Sequence, residues 1–118
     1  MTIRIKRAYA PPDDNDGCRV LVDRLWPRGV GKTEARIALW YREIAPSNEL
    51  RKWYNHVPER WPEFRRRYFA ELADNADLVA DLFAKAQHGV VTLLYGARDE
   101  ERNNAVALKE YLESWSGR

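Results

Sequence analysis

Val90-Val91-Thr92-Leu93-Leu94-Tyr95 decides the fold. The run is apolar almost throughout, so it reads as a strand buried on both faces. A strand with no solvated face belongs in the middle of a parallel sheet with cover above and below. Immediately upstream, Asp77 to Gln87 carries Leu78, Val79, Leu82, Phe83 and Ala86 at helical spacing. His88-Gly89 ends that helix, with Gly89 expected as a left-handed cap. Downstream, Gly96 to Arg102 is a polar loop. Asn103 to Trp115 is a helix that turns Ala107, Leu108, Tyr111, Leu112 and Trp115 inward.

A second buried run lies near residues 18–23, beginning Cys18-Arg19-Val20-Leu21-Val22 and also central by its apolar character. Ile3 to Tyr9 alternates at strand period, and Ala10 to Gly17 is a loop rich in Pro, Asp and Gly. Pro27 and Gly29-Val30-Gly31 break regular structure, Thr33-Glu34 starts a brief helical turn, and Ile37 to Tyr41 reads as a third strand. Pro46-Ser47 opens a helix with Ser47 as its N-cap and Leu50, Trp53 and Tyr54 on one face. Trp61, Phe64, Tyr68 and Leu72 form an apolar stripe. Pro62 fits only in a first turn, which places that helix start near Arg60 or Trp61. Strand, loop, strand, helices, strand, helix predicts α/β, with a small, mainly parallel sheet of about four strands and helices on both faces.

The 118 residues suit one domain, residues 1–118, with a single core. No apolar run is long enough to cross a bilayer, so no membrane partner is expected. The start of the chain lacks the pattern of a secretory signal. Cys18 is alone, which excludes an internal disulfide and suits a reducing cytoplasm. Residues 24–67 hold 11 Lys or Arg against 5 Asp or Glu, and residues 68–101 hold 2 against 7. The blocks either give the folded molecule two faces of opposite sign or close on one another as surface ion pairs.

Familiar sites are excluded. There is no dinucleotide fingerprint, no triphosphate loop and no nucleophile elbow, so no cofactor is implied. His56 and His88 lack the spacing of metal ligands, and no metal is expected. Cys18, at the start of a strand, reads as a small core residue.

Three segments carry chemistry. In Asp23-Arg24-Leu25-Trp26-Pro27-Arg28-Gly29, charges crowd the end of a buried strand, where ligands bind in open α/β sheets. Arg24 and Arg28 offer guanidinium forks suited to phosphate or carboxylate. Asp23 either positions one of them or accepts a hydrogen bond from a sugar hydroxyl or a base. The competing reading is an Asp–Arg bridge that only shapes the loop. The second segment, Tyr95-Gly96-Ala97-Arg98-Asp99 leading into Asn103-Asn104, lies beside Asp23 if the two buried strands are parallel neighbours. It then adds helix-terminal amides, although Asp99 is readily explained as a cap. The third, Leu50 to His56 followed by Glu59-Arg60-Trp61, interleaves aromatics with bases. That pattern suits nucleic acid, or an amphipathic helix whose Trp53 and Trp61 are core.

Arg19 to Gly29 resembles the hallmark of the YeaO-like branch of the family called domain of unknown function 488. So do Ala45-Pro46-Ser47, Leu50-Arg51-Lys52-Trp53, Arg60-Trp61, Phe64-Arg65 with Arg67-Tyr68, Val91 to Tyr95, Asp99 and Asn103-Asn104-Ala105. The resemblance implies a Rossmann-like α/β domain. In the wider family the corresponding strand ends in Asp-Val-Arg, and Asp23-Arg24 is similarly placed. A Cys-His-Arg triplet opens the last helix there, where this chain has Asn103-Asn104-Ala105, so the resemblance favours binding over thiol or imidazole catalysis. Val57 stands where an Asp commonly follows the His, and Arg98 where Lys is usual. The expectation is a cytoplasmic domain that binds an anionic small molecule, nucleotide-like, or nucleic acid, through Asp23, Arg24, Trp26, Arg28, Tyr95, Asp99, Asn103 and Asn104. The alternatives are a cofactor-free enzyme acting on a nucleoside, nucleotide or nucleic acid through Asp23, and a protein-interaction module using the basic 51–67 region.

Overall fold

The computed structural model describes residues 1–115. Four strands form one sheet in the order β1-β4-β2-β3: β1 is Ile3–Arg7, β2 Cys18–Leu21, β3 Leu39–Trp40 and β4 Val91–Tyr95. Every pairing is parallel, with Ile5 opposite Leu93 and Val20 opposite Leu93 on the two sides of β4. All five residues of β4 are buried, as its apolar run requires. The helices are α1 (Asn48–Tyr54), α2 (Trp61–Ala73), α3 (Ala76–His88) and α4 (Asn104–Ser114).

The expected four-stranded parallel α/β sheet is therefore what the chain forms, but its cover is divided unequally. The buried side chains of all four helices fall in one core with Ile3, Val20, Val22, Val91, Leu93 and Tyr95. The opposite face packs Leu21 and Leu94 against Ala8, Ala35, Ile37, Trp26 and Val30, none of which is helical. Crossover handedness explains the departure from helices on both faces. The β1→β2 and β2→β3 connections step across the sheet in one direction, and β3→β4 steps back. Right-handed crossovers therefore put the first two connections on one face and the third on the other. Only the third connection contains α-helices; the first has a single 3-10 turn, Asp14–Asp16.

That non-helical face carries a buried ion cluster. Asp16 is fully buried; it accepts from Arg19 Nη1 at 2.6 Å and from Lys6 Nζ at 2.9 Å, while Thr92 Oγ1 donates to its backbone oxygen. Gly17 beside it is forced by crowding: its φ is +64°, and a Cβ there would stand 2.2 Å from the Val90 oxygen.

Local signals hold in most places. Ser47 Oγ accepts from Leu50 N at the start of α1, and Pro62 sits in the first turn of α2. Cys18 packs against the main core. Gly89 differs from expectation: its φ of 171° is extended, because only Val90 separates it from β4 and the chain runs straight into the strand. The third strand is shorter than the expected 37–41, since Ile37 turns into the second core. Among the described residues no helix is long and apolar enough to cross a membrane.

Asp16→Ala leaves the Arg19 guanidinium, 3% exposed, without its carboxylate. The loss expected in urea denaturation is about 3–5 kcal/mol, and a loss below about 1 kcal/mol refutes the role assigned to the cluster. The cationic partners hold the Asp16 carboxyl below its ordinary value despite burial. Its contribution is therefore present above pH 3.8 and disappears as pH falls through the folded-state value, a dependence the variant should lack.

Candidate functional site

At the carboxyl ends of β4 and β2 the chain leaves in opposite directions. β4 leads through residues 96–103 into α4 on the helical face, and β2 leads past Val22 into a segment whose Trp26, Val30, Ala35 and Ile37 pack on the other. Such a divergence between neighbouring parallel strands opens a crevice, the place where α/β sheets receive ligands. A cavity of about 510 Å³ lies there.

Asp23 is at its base. Its Oδ2 accepts from Gly96 N at 2.8 Å and its Oδ1 from Asn104 Nδ2 at 3.0 Å, so one carboxylate ties the end of β2 to both the loop after β4 and the start of α4. Gly96 suits this approach, because a Cβ there would stand a tight 3.1 Å from Oδ2. Asn104 Nδ2 also donates to Val22 O at 3.0 Å. Burial pushes the Asp23 carboxyl above its ordinary value, opposed by the Asn104 and Gly96 hydrogen bonds and by the charges of Arg51 and His56.

The walls come from three further segments. Arg24 turns back onto the chain: Nε donates to Pro46 O at 3.1 Å, Nη2 to Ala45 O at 3.0 Å, and Nη1 lies 3.5 Å from Glu43. This clasp fixes the entry to α1, and Glu71 completes it by accepting from Ser47 N and Oγ. So placed, α1 brings Arg51, Lys52 and Tyr54 to the cavity. Asn55 and His56 come next with φ of 47° and 55°, two left-handed residues in succession, and both line it. Such backbone costs energy outside glycine and is concentrated at functional positions. Tyr54 stacks on Phe64 at 4.4 Å and donates from its hydroxyl to Arg102 O. Leu25, 55% exposed, stands at the rim.

Of the residues expected at the site, Asp23, Arg24, Asn103 and Asn104 line the cavity, and Trp26, Arg28, Tyr95 and Asp99 do not. Trp26 packs in the second core and donates to Val30 O. Arg28 is exposed on the far side of the turn, where its backbone oxygen accepts from Tyr9. Tyr95 is buried in the main core. Asp99 accepts from the Glu101 and Arg102 amides, as a cap does, while Asn103 caps α4 by accepting from Val106 N. The helix-terminal amides are thus partly occupied. Arg51, Lys52 and His56 belong to the segment whose pattern suits nucleic acid or core. The sequence does not disclose that this segment folds over Asp23.

The charge balance favours an anion. Among the described residues neither Arg51 nor Lys52 forms an ion pair, whereas Arg24 and Arg102 are engaged by Glu43 and Asp99. No group of three or more His, Cys, Asp or Glu suited to a metal occurs among those residues.

Asn104→Ala removes one of the two donors that restrain the Asp23 carboxyl. Its titration, followed by carboxyl-carbon NMR, should move further up, and stability should fall by about 1–3 kcal/mol. A folded-state value above the unfolded one means that the folded chain holds the proton more tightly. Stability therefore declines as pH rises from 3.8 through the folded value, over a wider window in the variant. An unchanged titration would show that the amide does not restrain the carboxyl.

A family model described as "Inactive DUF488-N3 subclade" matches residues 2–116. Uncharacterized protein Rv3073c of Mycobacterium tuberculosis H37Rv is 44% identical over 110 residues, covering 93% of this chain and 92% of that protein. Uncharacterized protein YeaO of Escherichia coli K12 is 42% identical over 114 residues, covering 97% and 99%. No solved structure matches significantly. Over nearly its whole length, the chain belongs to the DUF488-N3 subclade that its family description terms inactive.

Proposed function

We propose that the protein is a cytoplasmic binding domain whose cavity between β2 and β4 takes an anionic, nucleotide-like ligand. The observation that carries this reading is the pairing of two kinds of group in one crevice. Arg51 and Lys52 are cations without ion-pair partners among the described residues, and they share the cavity with an apolar wall that includes Leu25, Pro46, Tyr54 and Phe64. A ligand that satisfies both has a phosphate-like end and a flat or apolar body. A cavity of about 510 Å³ suits a molecule of mononucleotide size.

Binding is preferred to catalysis for two reasons. Asn103, Asn104 and Ala105 open α4 without thiol or imidazole, and the subclade carries the description inactive. The enzyme reading keeps one supporting observation, the raised Asp23 carboxyl beside a cavity. Against it, both oxygens of that carboxyl are already committed to N–H donors. The protein-interaction reading loses support because Arg65 pairs with Glu110, and Arg66 and Arg67 pair with Glu63.

Isothermal titration with nucleoside monophosphates tests the proposal. The Arg51→Ala/Lys52→Ala protein should bind at least about tenfold more weakly than the wild type, as expected for lost charge-assisted contacts. Its affinity should also respond less to added salt. Arg28→Ala, outside the cavity, should bind normally. Unaltered affinity in the double variant, or no binding of any nucleotide by the wild type, overturns the reading.

A further inference from the structure

Asp23 and Asn104 together present acceptors, and only acceptors, to the cavity. An ionised carboxylate has about four acceptor positions. Gly96 N and Asn104 Nδ2 use two of the four on Asp23. Both hydrogens of Asn104 Nδ2 are spent, on Val22 O and Asp23 Oδ1, so its Oδ1 must point elsewhere. Among the described residues that oxygen accepts from no donor, and it is not a buried unsatisfied atom, so it is open to the cavity that Asn104 lines. Two neighbouring acceptor groups, fixed to each other by a hydrogen bond, select a ligand group with two neighbouring donors. A fully ionised phosphate is disfavoured at this end, since it offers no donor and meets a like charge.

We propose that this pair reads the vicinal hydroxyls of a ribose, so that the cavity takes ribonucleotides in preference to deoxyribonucleotides. The inference rests on the nucleotide-like reading above and adds the identity of the sugar. In a nucleotide the sugar diol is the group with two adjacent hydroxyl donors. An acidic side chain bonding a ribose hydroxyl is an established use of a carboxylate in doubly wound sheets. The sugar bound at Asp23 leaves the phosphate to Arg51 and Lys52 and the base to the apolar wall.

The test compares adenosine and uridine 5′-monophosphates with their 2′-deoxy and 3′-deoxy counterparts by isothermal titration into the full chain. Removal of either hydroxyl should weaken binding about tenfold or more, for both bases. Equal affinity across the three sugars overturns this inference and leaves the nucleotide reading standing. Failure of every nucleotide to bind overturns both. If instead the base amine governs affinity and the hydroxyls do not, the donor at Asp23 is the base and the inference fails. Asp23→Asn, checked for folding by circular dichroism, should bring the three sugars to similar affinity. A folded variant that still discriminates overturns the assignment to Asp23, and the comparison of sugars decides the matter should that variant not fold.

Discussion

β4 sits between β1 and β2 with all five residues buried, and its parallel pairing on both edges sets the positions of everything else. A strand with no exposed face needs cover on two sides, and the handedness of the crossovers decides which segment supplies it. The long helical connection goes to one face, and the short irregular ones go to the other. The same pairing aligns the ends of β2 and β4, so the chain diverges there. The crevice is a consequence of the topology before any side chain is considered.

The non-helical face explains why charges are buried so far from the cavity. Loops cannot cover a sheet with a continuous apolar surface, so Lys6, Arg19 and Thr92 point into that side, where Asp16 accepts from each of them. One Arg19 nitrogen, Nη2, stays buried without a partner among the described residues. Buried ion clusters of this kind cost desolvation and specify geometry more than they stabilise. Here the cluster holds the β1→β2 loop against the sheet.

The fold is legible in the sequence where local chemistry and burial agree. Val91 to Tyr95 is a buried strand in any context, Ser47 caps α1, and Pro62 admits one helical position. Gly89 departs from its expected left-handed turn because a helix stop and a strand start fall within two residues, and extension wins. Helices on both faces are a natural expectation when strand order is not visible; Ile3 to Arg7 and Cys18 to Leu21 look adjacent in sequence, yet β4 separates them. The site is half legible. Asp23 and Asn104 can be paired from the sequence once two strands are assumed to be neighbours. Arg28 cannot be separated from Arg24, because which side of a Pro-Gly turn faces a crevice depends on packing. Arg51 and Lys52 are visible only as part of an amphipathic helix, since a seven-residue helix carries no record of what it folds over.

Two departures from the cheapest structure and a pair of solvated cations meet at one place. Asp23 is a carboxylate held where burial opposes its charge. Arg51 and Lys52 stand near one another without ion-pair partners among the described residues, although Glu49 and Glu59 are close in sequence. Asn55 and His56 hold left-handed backbone in succession; of the non-glycine residues with positive φ among the described residues, only Arg36 lies elsewhere. Each is tolerable alone, and Asn55 is a common helix terminus. Glycine at residue 56 would relieve the backbone at once, yet the chain keeps a histidine there. Sequences that fold reliably keep local preference and global structure in agreement, and they violate that agreement where a ligand compensates. The ion cluster around Asp16 is held by direct hydrogen bonds to Lys6 and Arg19 and lies apart from the cavity at Asp23. The groups around Asp23 line one cavity, and the anion with hydroxyl donors proposed above would meet its open acceptors and the Arg51 and Lys52 cations together.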